Sequence, residues 1–127
     1  MTKKALTPAG QPKPTNYSMG IEATGSKMVF VAGLVSMDAE GKTVAKGDIK
    51  GQTRQVFANI EKVLAEAGAT RDNIVKITVF LTDLKNFSGM AEVRAEFFKA
   101  PYPASAAVQA QLINPDWLVE IEAIAVI

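Results

Sequence analysis

Alternating apolar positions along the chain predict strands. From 74 to 81, β-branched residues alternate with polar and aromatic ones, which is typical of a strand with one buried face. The residues expected on that face are Val75, Ile77, Val79 and Leu81. The apolar run from 28 to 35 is also strand-like, and the turn residues at 38–41 predict a hairpin that returns through a short strand at 43–44. Two more strands are predicted at 104–112 and 118–126, on either side of a turn at 114–116.

Two segments change to the helical spacing of apolar residues. The first runs from 49 to 67, and Gly68 follows it where a left-handed residue commonly ends a helix. The second runs from about 87 to 99, with Asn86 or Ser88 available as its N-cap. Their apolar stripes are formed by Val56, Ile60, Val63, Leu64 and Ala67 in the first helix and by Met90, Val93 and Phe97 in the second.

The order of these elements predicts the architecture. A hairpin, a helix, a strand, a second helix and two strands are compatible with a two-layer α+β sandwich, in which a mixed sheet has both helices on one face. Residues 1–16 contain three prolines and predict an extended N-terminal arm, whereas 17–127 form a single domain.

The second face of the sheet is expected to meet a partner. Within 118–126 neither face is purely polar, and within 104–112 the second face mixes small, apolar and amide residues. Such a surface is more typical of an oligomer interface than of a free surface, and closed symmetry is the usual outcome. The patterns leave the number of copies open.

Composition then narrows the function classes. The 127 residues are 48% hydrophobic, and fourteen basic residues balance thirteen acidic ones to a formal charge of +1. No basic face is available for a phosphate backbone, so we expect no nucleic-acid partner. The apolar runs are of strand length and none resembles a signal peptide, which predicts a cytoplasmic protein without a membrane partner.

The chain contains neither histidine nor cysteine, and this restricts its chemistry. Catalytic systems built on His or Cys, disulfides and a metal site built from imidazole or thiolate ligands are excluded. Acid–base chemistry is left to a carboxyl group, tyrosine, lysine or water, with a pKa shifted by burial in a cleft.

Several segments resemble the Rid family of reactive-intermediate deaminases, also called YjgF-like. The segment 119–125, Val-Glu-Ile-Glu-Ala-Ile-Ala, is similar to the C-terminal signature of that family. Further matches follow the family's order and cover nearly the whole chain from Tyr17 onward: 16–20, 31–33, 74–84, the Phe97-Phe98 pair and 102–104.

This resemblance implies the chorismate-mutase-like α+β sandwich. It also implies a homotrimer, with the sheets forming an inner β-barrel and a small-molecule cleft between each pair of subunits. The implied activity is hydrolysis of reactive enamines or imines, such as 2-aminoacrylate, to a ketoacid and ammonia. The implied chemistry uses a positioned water, a carboxylate and backbone groups, with no metal and no organic cofactor.

The chain departs from the family pattern at the substrate anchor. The deaminase branch has an arginine, able to grip a carboxylate in a bidentate contact, where this chain has Ser105. Ala107, Ala32 and Ala91 replace the family's usual cysteine, serine and asparagine. The residues that match are Tyr17, Gly33, Phe87 and Glu120.

The candidate site residues each have a functional and a structural interpretation. Glu120 orients water or a substrate amine, or it is a strand carboxylate bonded across an interface. Tyr17 covers the ligand, or it pins the arm to the sheet. Gly33 allows a close backbone approach at a strand end, with or without a ligand.

The remaining candidates would line the cleft. Ser105 hydrogen-bonds the ligand or fills the space of the absent arginine, and Phe87 and Trp117 line the cleft or are packing residues. Without an arginine at 105, discrimination for a ketoacid precursor is expected to be weak unless Arg54, Arg94 or a lysine enters the cleft.

The leading hypothesis is therefore a cofactor-free hydrolase of the enamine or imine deaminase type. The alternative is a non-catalytic trimer that binds a small molecule or a protein. RNA cleavage, ascribed to some relatives, is disfavoured by the balanced charge.

Overall fold

The computed structural model describes residues 1–127, which form six strands and two long helices. In chain order these are β1 (Thr2–Leu6), β2 (Gly20–Thr24), β3 (Met28–Val35), α1 (Ile49–Glu66), β4 (Ile74–Leu81), α2 (Phe87–Phe97), β5 (Ala104–Gln109) and β6 (Val119–Val126). The strands predicted at 28–35 and 74–81 have the observed bounds, and both helices begin where the apolar spacing begins. No helix combines the length and the apolar character needed to cross a membrane.

The main sheet has four strands in the order β3-β6-β4-β5. Strand β6 is antiparallel to both of its neighbours, and β5 is parallel to β4. Both helices lie on one face of this mixed sheet, and the apolar residues of β6 that face them are buried: Val119, Ile121, Ala123 and Ala125. The predicted two-layer α+β sandwich is thus confirmed.

Local chemistry explains how α1 begins and ends. The Asp48 side chain accepts a hydrogen bond of 3.0 Å from the Gly51 N–H, which satisfies one free donor of the first turn. At the other end Gly68 has φ of +72°, and the Gly68 and Ala69 N–H groups donate to the carbonyls of Ala65 and Leu64. This is a Schellman motif, as the position of Gly68 predicted.

Several details differ from the sequence expectation, and one of them is that β5 ends at Gln109 and not at 112. A β-bulge interrupts the register of β4 between Ile74 and Lys76, so Ile74 is fully buried and Val75 is not. The predicted return strand of the hairpin is reduced to one isolated bridge between Met37 and Thr43, although the turn before it forms. The chain enters α2 through a short 3-10 turn, and Asn86 makes no capping hydrogen bond.

The N-terminal arm contains a strand that the patterns did not predict. Strand β1 pairs antiparallel with β2 in a separate two-stranded sheet. Neither strand contains a fully buried residue, because the pair lies at the surface. Residues 2–6 have no apolar alternation, whereas the half-buried Ile21 and Ala23 alternate with the exposed Glu22 and Thr24, a short signal for β2 that the sequence prediction misses.

The face of the main sheet opposite the helices is open in the single chain. Phe30 on β3 is 69% exposed, and a shallow pocket of about 290 Å³ on this face is lined by residues that include Lys76, Thr78, Glu122 and Ile124. Apolar and charged side chains are mixed here, as the sequence predicted.

Candidate functional site

Glu120 lies at the start of β6, where a close backbone approach leaves room for its side chain. It is paired with Val35 of β3 on one side and with Phe80 of β4 on the other. The register of β3 shifts between Val31 and Leu34, and Gly33 falls within that irregularity. A Cβ atom at position 33 would lie 2.6 Å from Glu120 Oε2, so only glycine leaves the carboxylate its position.

The Glu120 carboxylate is free of protein partners. It takes part in no ion pair and accepts no hydrogen bond, although the residue itself is half-buried. With Gly33 and Trp117 it lines a groove of about 590 Å³, which extends past Met37 to Val63 on α1. A half-buried carboxylate in a groove is free to accept a proton from water or from a bound molecule.

The segment before β6 is held by a buried glutamine of α1. Gln52 is fully buried, and its Nε2 donates to the carbonyls of Asp116 at 2.9 Å and Ala45 at 3.3 Å. Its Oε1 accepts from the Leu118 N–H at 2.9 Å. Trp117, which lies between Asp116 and Leu118 in the chain, donates its indole N–H to Thr43 Oγ1 at 3.2 Å. Gln52 and Thr43 therefore both hold the segment that lines the groove.

Ser105 belongs to a second cluster, which is centred on Arg94 of α2. Ser105 is paired with the buried Ile77 in the parallel register of β4 and β5, so its side chain is on the helix face of the sheet. Arg94 Nη1 donates to Ser105 Oγ at 3.3 Å, and Nη2 donates to Asn16 Oδ1 at 3.4 Å. The Phe87 ring lies 5.9 Å from Arg94 Cζ.

The arm residues reach this cluster because residue 18 is bonded to the chain just before β5. Ser18 donates its N–H to the Pro103 carbonyl at 3.0 Å and its hydroxyl to the Tyr102 carbonyl, and it forms a parallel bridge with Ala104. Asn16 and Tyr17 are thereby brought beside the first residues of β5. Tyr17 is 40% exposed and lines a separate cavity of about 590 Å³ between the arm and residues 100–102.

Burial lowers the pKa of the Arg94 guanidinium from its ordinary value, and the neighbouring Tyr17 opposes that shift. Arginine remains protonated even after such a shift, so the cluster holds a permanent positive charge.

The six predicted site residues therefore fall into two groups. Glu120, Gly33 and Trp117 share the groove beside β3, whereas Ser105, Phe87 and Tyr17 surround Arg94 at the opposite edge of the sheet. Glu120 alternates with the residues that face the helices, so it points to the open face while Ser105 points to the helix face. One chain alone does not bring the two groups together.

Each of the two groups contains a polar residue at a position where the helical spacing predicts an apolar one. Gln52 was not recognised in the sequence as a site residue, although it precedes Val56 and Ile60 by four and eight positions in the apolar stripe of α1. The sequence names Arg94 only beside Arg54 and the lysines as a replacement for the absent anchor, and Arg94 follows Met90 by four positions in the stripe of α2. A polar side chain within an apolar stripe was the signal available for both.

Comparisons with known proteins agree with this architecture. A family model described as Endoribonuclease L-PSP matches residues 8–127. A RutC family protein of Pyrococcus abyssi is 42% identical over 126 residues, which are 98% of each chain.

Solved structures of similar chains share the fold. The Rid family protein YyfB of Yersinia pestis, described as of unknown function, superimposes with a TM-score of 0.87 at 30% identity and full coverage of both chains. RidA of an Antarctic Psychrobacter superimposes with a TM-score of 0.73 at 34% identity, over 98% of this chain and 94% of its own. The chorismate-mutase-like sandwich implied by the sequence resemblance is therefore the fold of this chain.

Proposed function

Because this chain belongs to the Rid family, whose sequence model is described as Endoribonuclease L-PSP, we propose that it is a cofactor-free hydrolase of small enamines or imines. The products are ammonia and a carbonyl compound. The reaction takes place in a cleft between subunits, with Glu120 as the group that moves protons.

The free carboxylate of Glu120 is the observation that supports this proposal most directly. A carboxylate that no protein donor occupies can accept a proton from water, and its groove is large enough for a small metabolite. Gly33 beside it leaves the β3 backbone accessible, so backbone groups can orient the substrate.

The proposed reaction is balanced with water alone. The enamine first shifts a proton from nitrogen to carbon and becomes an imine. Glu120 removes a proton from water as the water oxygen bonds to the imine carbon, and protonated Glu120 gives that proton to the nitrogen, which yields a neutral carbinolamine. Glu120 then accepts the hydroxyl proton of the carbinolamine and passes it to the departing nitrogen, so the carbon–nitrogen bond breaks and ammonia leaves as the carbonyl forms.

A trimer would supply what one chain lacks. The two groups of candidate residues lie on opposite faces and edges of one sheet, so a shared cleft requires Glu120 of one copy near Ser105 and Tyr17 of another. The open sheet face, with Phe30 largely exposed, supports burial of that face between copies. Sedimentation velocity on the purified protein measures the number of copies directly.

The activity is tested by generating 2-aminoacrylate in the assay with a pyridoxal-phosphate dehydratase acting on serine. The rates of ketoacid and ammonia release are compared with the spontaneous rate without the protein. Glu120→Gln is the test variant. Glu122→Gln is its matched control, because Glu122 lies two residues along the same face and lines a different pocket.

We expect acceleration by the natural protein, loss of about 100-fold or more with Glu120→Gln, and little change with Glu122→Gln. Equal losses in both variants would contradict a specific role for Glu120. No acceleration by the natural protein would refute the hydrolase proposal and favour the alternative of a non-catalytic binding trimer.

The ribonuclease activity named in the family description is a second candidate that we propose to be absent. The fourteen basic residues are balanced by thirteen acidic ones, six of the basic residues are paired with carboxylates, and the chain has no histidine for the acid–base steps. Cleavage of single-stranded RNA incubated with the purified protein, followed by gel electrophoresis, would contradict this statement.

A further inference from the structure

Arg94 is a buried cation without an anionic partner. Its residue is only 6% exposed, and none of the six ion pairs of the chain includes it. Its two hydrogen bonds go to neutral oxygens of Ser105 and Asn16. Its Nε is buried and has no partner at all.

This arrangement is unusual because a buried charge is costly unless it is paired. The hydrogen bonds to Ser105 and Asn16, at 3.3 and 3.4 Å, are longer than those that arginine normally makes to a charged acceptor. A guanidinium left with spare donors and with weak neutral partners is suited to an anion that arrives from outside the chain.

The surroundings of Arg94 indicate a small, planar anion. Tyr17 and Phe87 flank it, and each exposes about two fifths of its surface, so the cluster adjoins solvent on the aromatic side. Ser105 and Asn16 add a hydroxyl and an amide that can turn toward the same ligand. A carboxylate matches the paired N–H groups of a guanidinium in a bidentate contact.

We propose that Arg94 binds the carboxylate of the ligand, so that the anchor of this chain projects from α2 rather than from β5. This deepens the proposed function, on which it rests, by making the substrate a carboxylate-bearing enamine or imine. Ser105 and Asn16 act as supports that hold the guanidinium until the carboxylate displaces their hydrogen bonds.

Anion binding is measured without turnover by titrating the full-length protein with pyruvate and, separately, with pyruvamide, which replaces the carboxylate with a neutral amide. Isothermal titration calorimetry gives the two dissociation constants. The variants are Arg94→Gln and the double variant Arg94→Gln/Ser105→Arg, which moves the guanidinium to β5. Arg54→Gln is the matched control, because Arg54 is exposed and already paired with Glu96.

We expect the natural protein to prefer pyruvate over pyruvamide by about tenfold or more, since pyruvate offers the guanidinium two ionised oxygens in a bidentate contact and pyruvamide offers only one neutral amide oxygen. Arg94→Gln should remove that preference, Arg54→Gln should keep it, and the double variant should restore part of it. Circular dichroism verifies that each variant is folded. If Arg94→Gln does not fold, the more conservative Arg94→Lys is used instead. The preference for pyruvate over pyruvamide should then fall by about threefold or more, because lysine lacks the paired N–H groups that bind a carboxylate in a bidentate contact.

The inference is overturned if the natural protein shows no preference for the carboxylate, or if a folded Arg94 variant keeps it in full. It is also overturned if Arg94→Gln dissociates the oligomer, because the partner of Arg94 would then be a carboxylate of another copy. Pyruvate binding through Arg94 in a protein that does not hydrolyse 2-aminoacrylate would refute the proposed function and leave this inference standing.

Discussion

Replacing Gln52 with leucine should destabilise the protein and loosen the wall of the Glu120 groove. The two side chains are similar in volume, so the variant keeps the packing of α1 but loses every polar contact at this position. Gln52 makes three hydrogen bonds, to the carbonyls of Asp116 and Ala45 and from the Leu118 N–H. Each bond connects a loop to the buried face of α1.

The magnitude follows from which groups lose a partner. The 2.9 Å bond to the carbonyl of the exposed Asp116 is worth about 1 kcal/mol, because water can replace it, whereas the half-buried Leu118 N–H loses a 2.9 Å bond and costs about 1–3 kcal/mol if it finds no new partner. The bond of 3.3 Å to Ala45 is weaker, and leucine returns some apolar burial. We expect a net loss of about 2–3 kcal/mol, or a fall in Tm of roughly 6–12 °C for a chain of this length.

Urea unfolding followed by circular dichroism at one fixed protein concentration measures this loss, since self-association would make the midpoint depend on concentration. Gln55→Leu is the matched control, because Gln55 lies on the same helix, is half-buried, and bonds only the Asn59 side chain. Its expected cost is below about 1 kcal/mol. Equal midpoints for the two variants would refute the claim that Gln52 holds the segment before β6.

Three further predictions follow from single contacts. Gly33→Ala should push the Glu120 carboxylate from its position and lower the rate of enamine hydrolysis by about tenfold to 100-fold with little change in Tm, and an unchanged rate would contradict this role. Desolvation lowers the pKa of Lys3 in the folded protein, so between that lowered pKa and about 10.5 the unfolded chain binds more protons than the folded one. The free energy of unfolding should therefore rise with pH across this window, and Lys3→Met should flatten the rise measured by urea unfolding at several pH values. Phe30→Lys should weaken self-association in sedimentation velocity, because it places a charge on the exposed sheet face, and an unaltered mass distribution would exclude that face as the interface.

The sequence alone determined most of the sandwich. The apolar run of 28–35 predicts β3, and the apolar periods predict β4 and the starts of both helices correctly, because those periods come from packing against a single layer. Gly68 marked the end of α1 because only a residue tolerant of positive φ fits the Schellman motif there. The family resemblance also shows from the sequence alone that Ser105 stands where the deaminase branch has its anchoring arginine.

The tertiary structure alone decided which distant residues meet. Strand β1 has no apolar period of its own and forms by pairing with β2 at the surface, and the bulge that turns Val75 out of the core depends on the pairing of β4 with β6. Arg94 donates a hydrogen bond to Asn16, which is 78 positions away in the sequence. The Glu120 side chain lies against Gly33 only because β3 and β6 are neighbouring strands. Local patterns report how much each segment is buried, whereas the contacts that build a site depend on strand order and register, which no local period encodes.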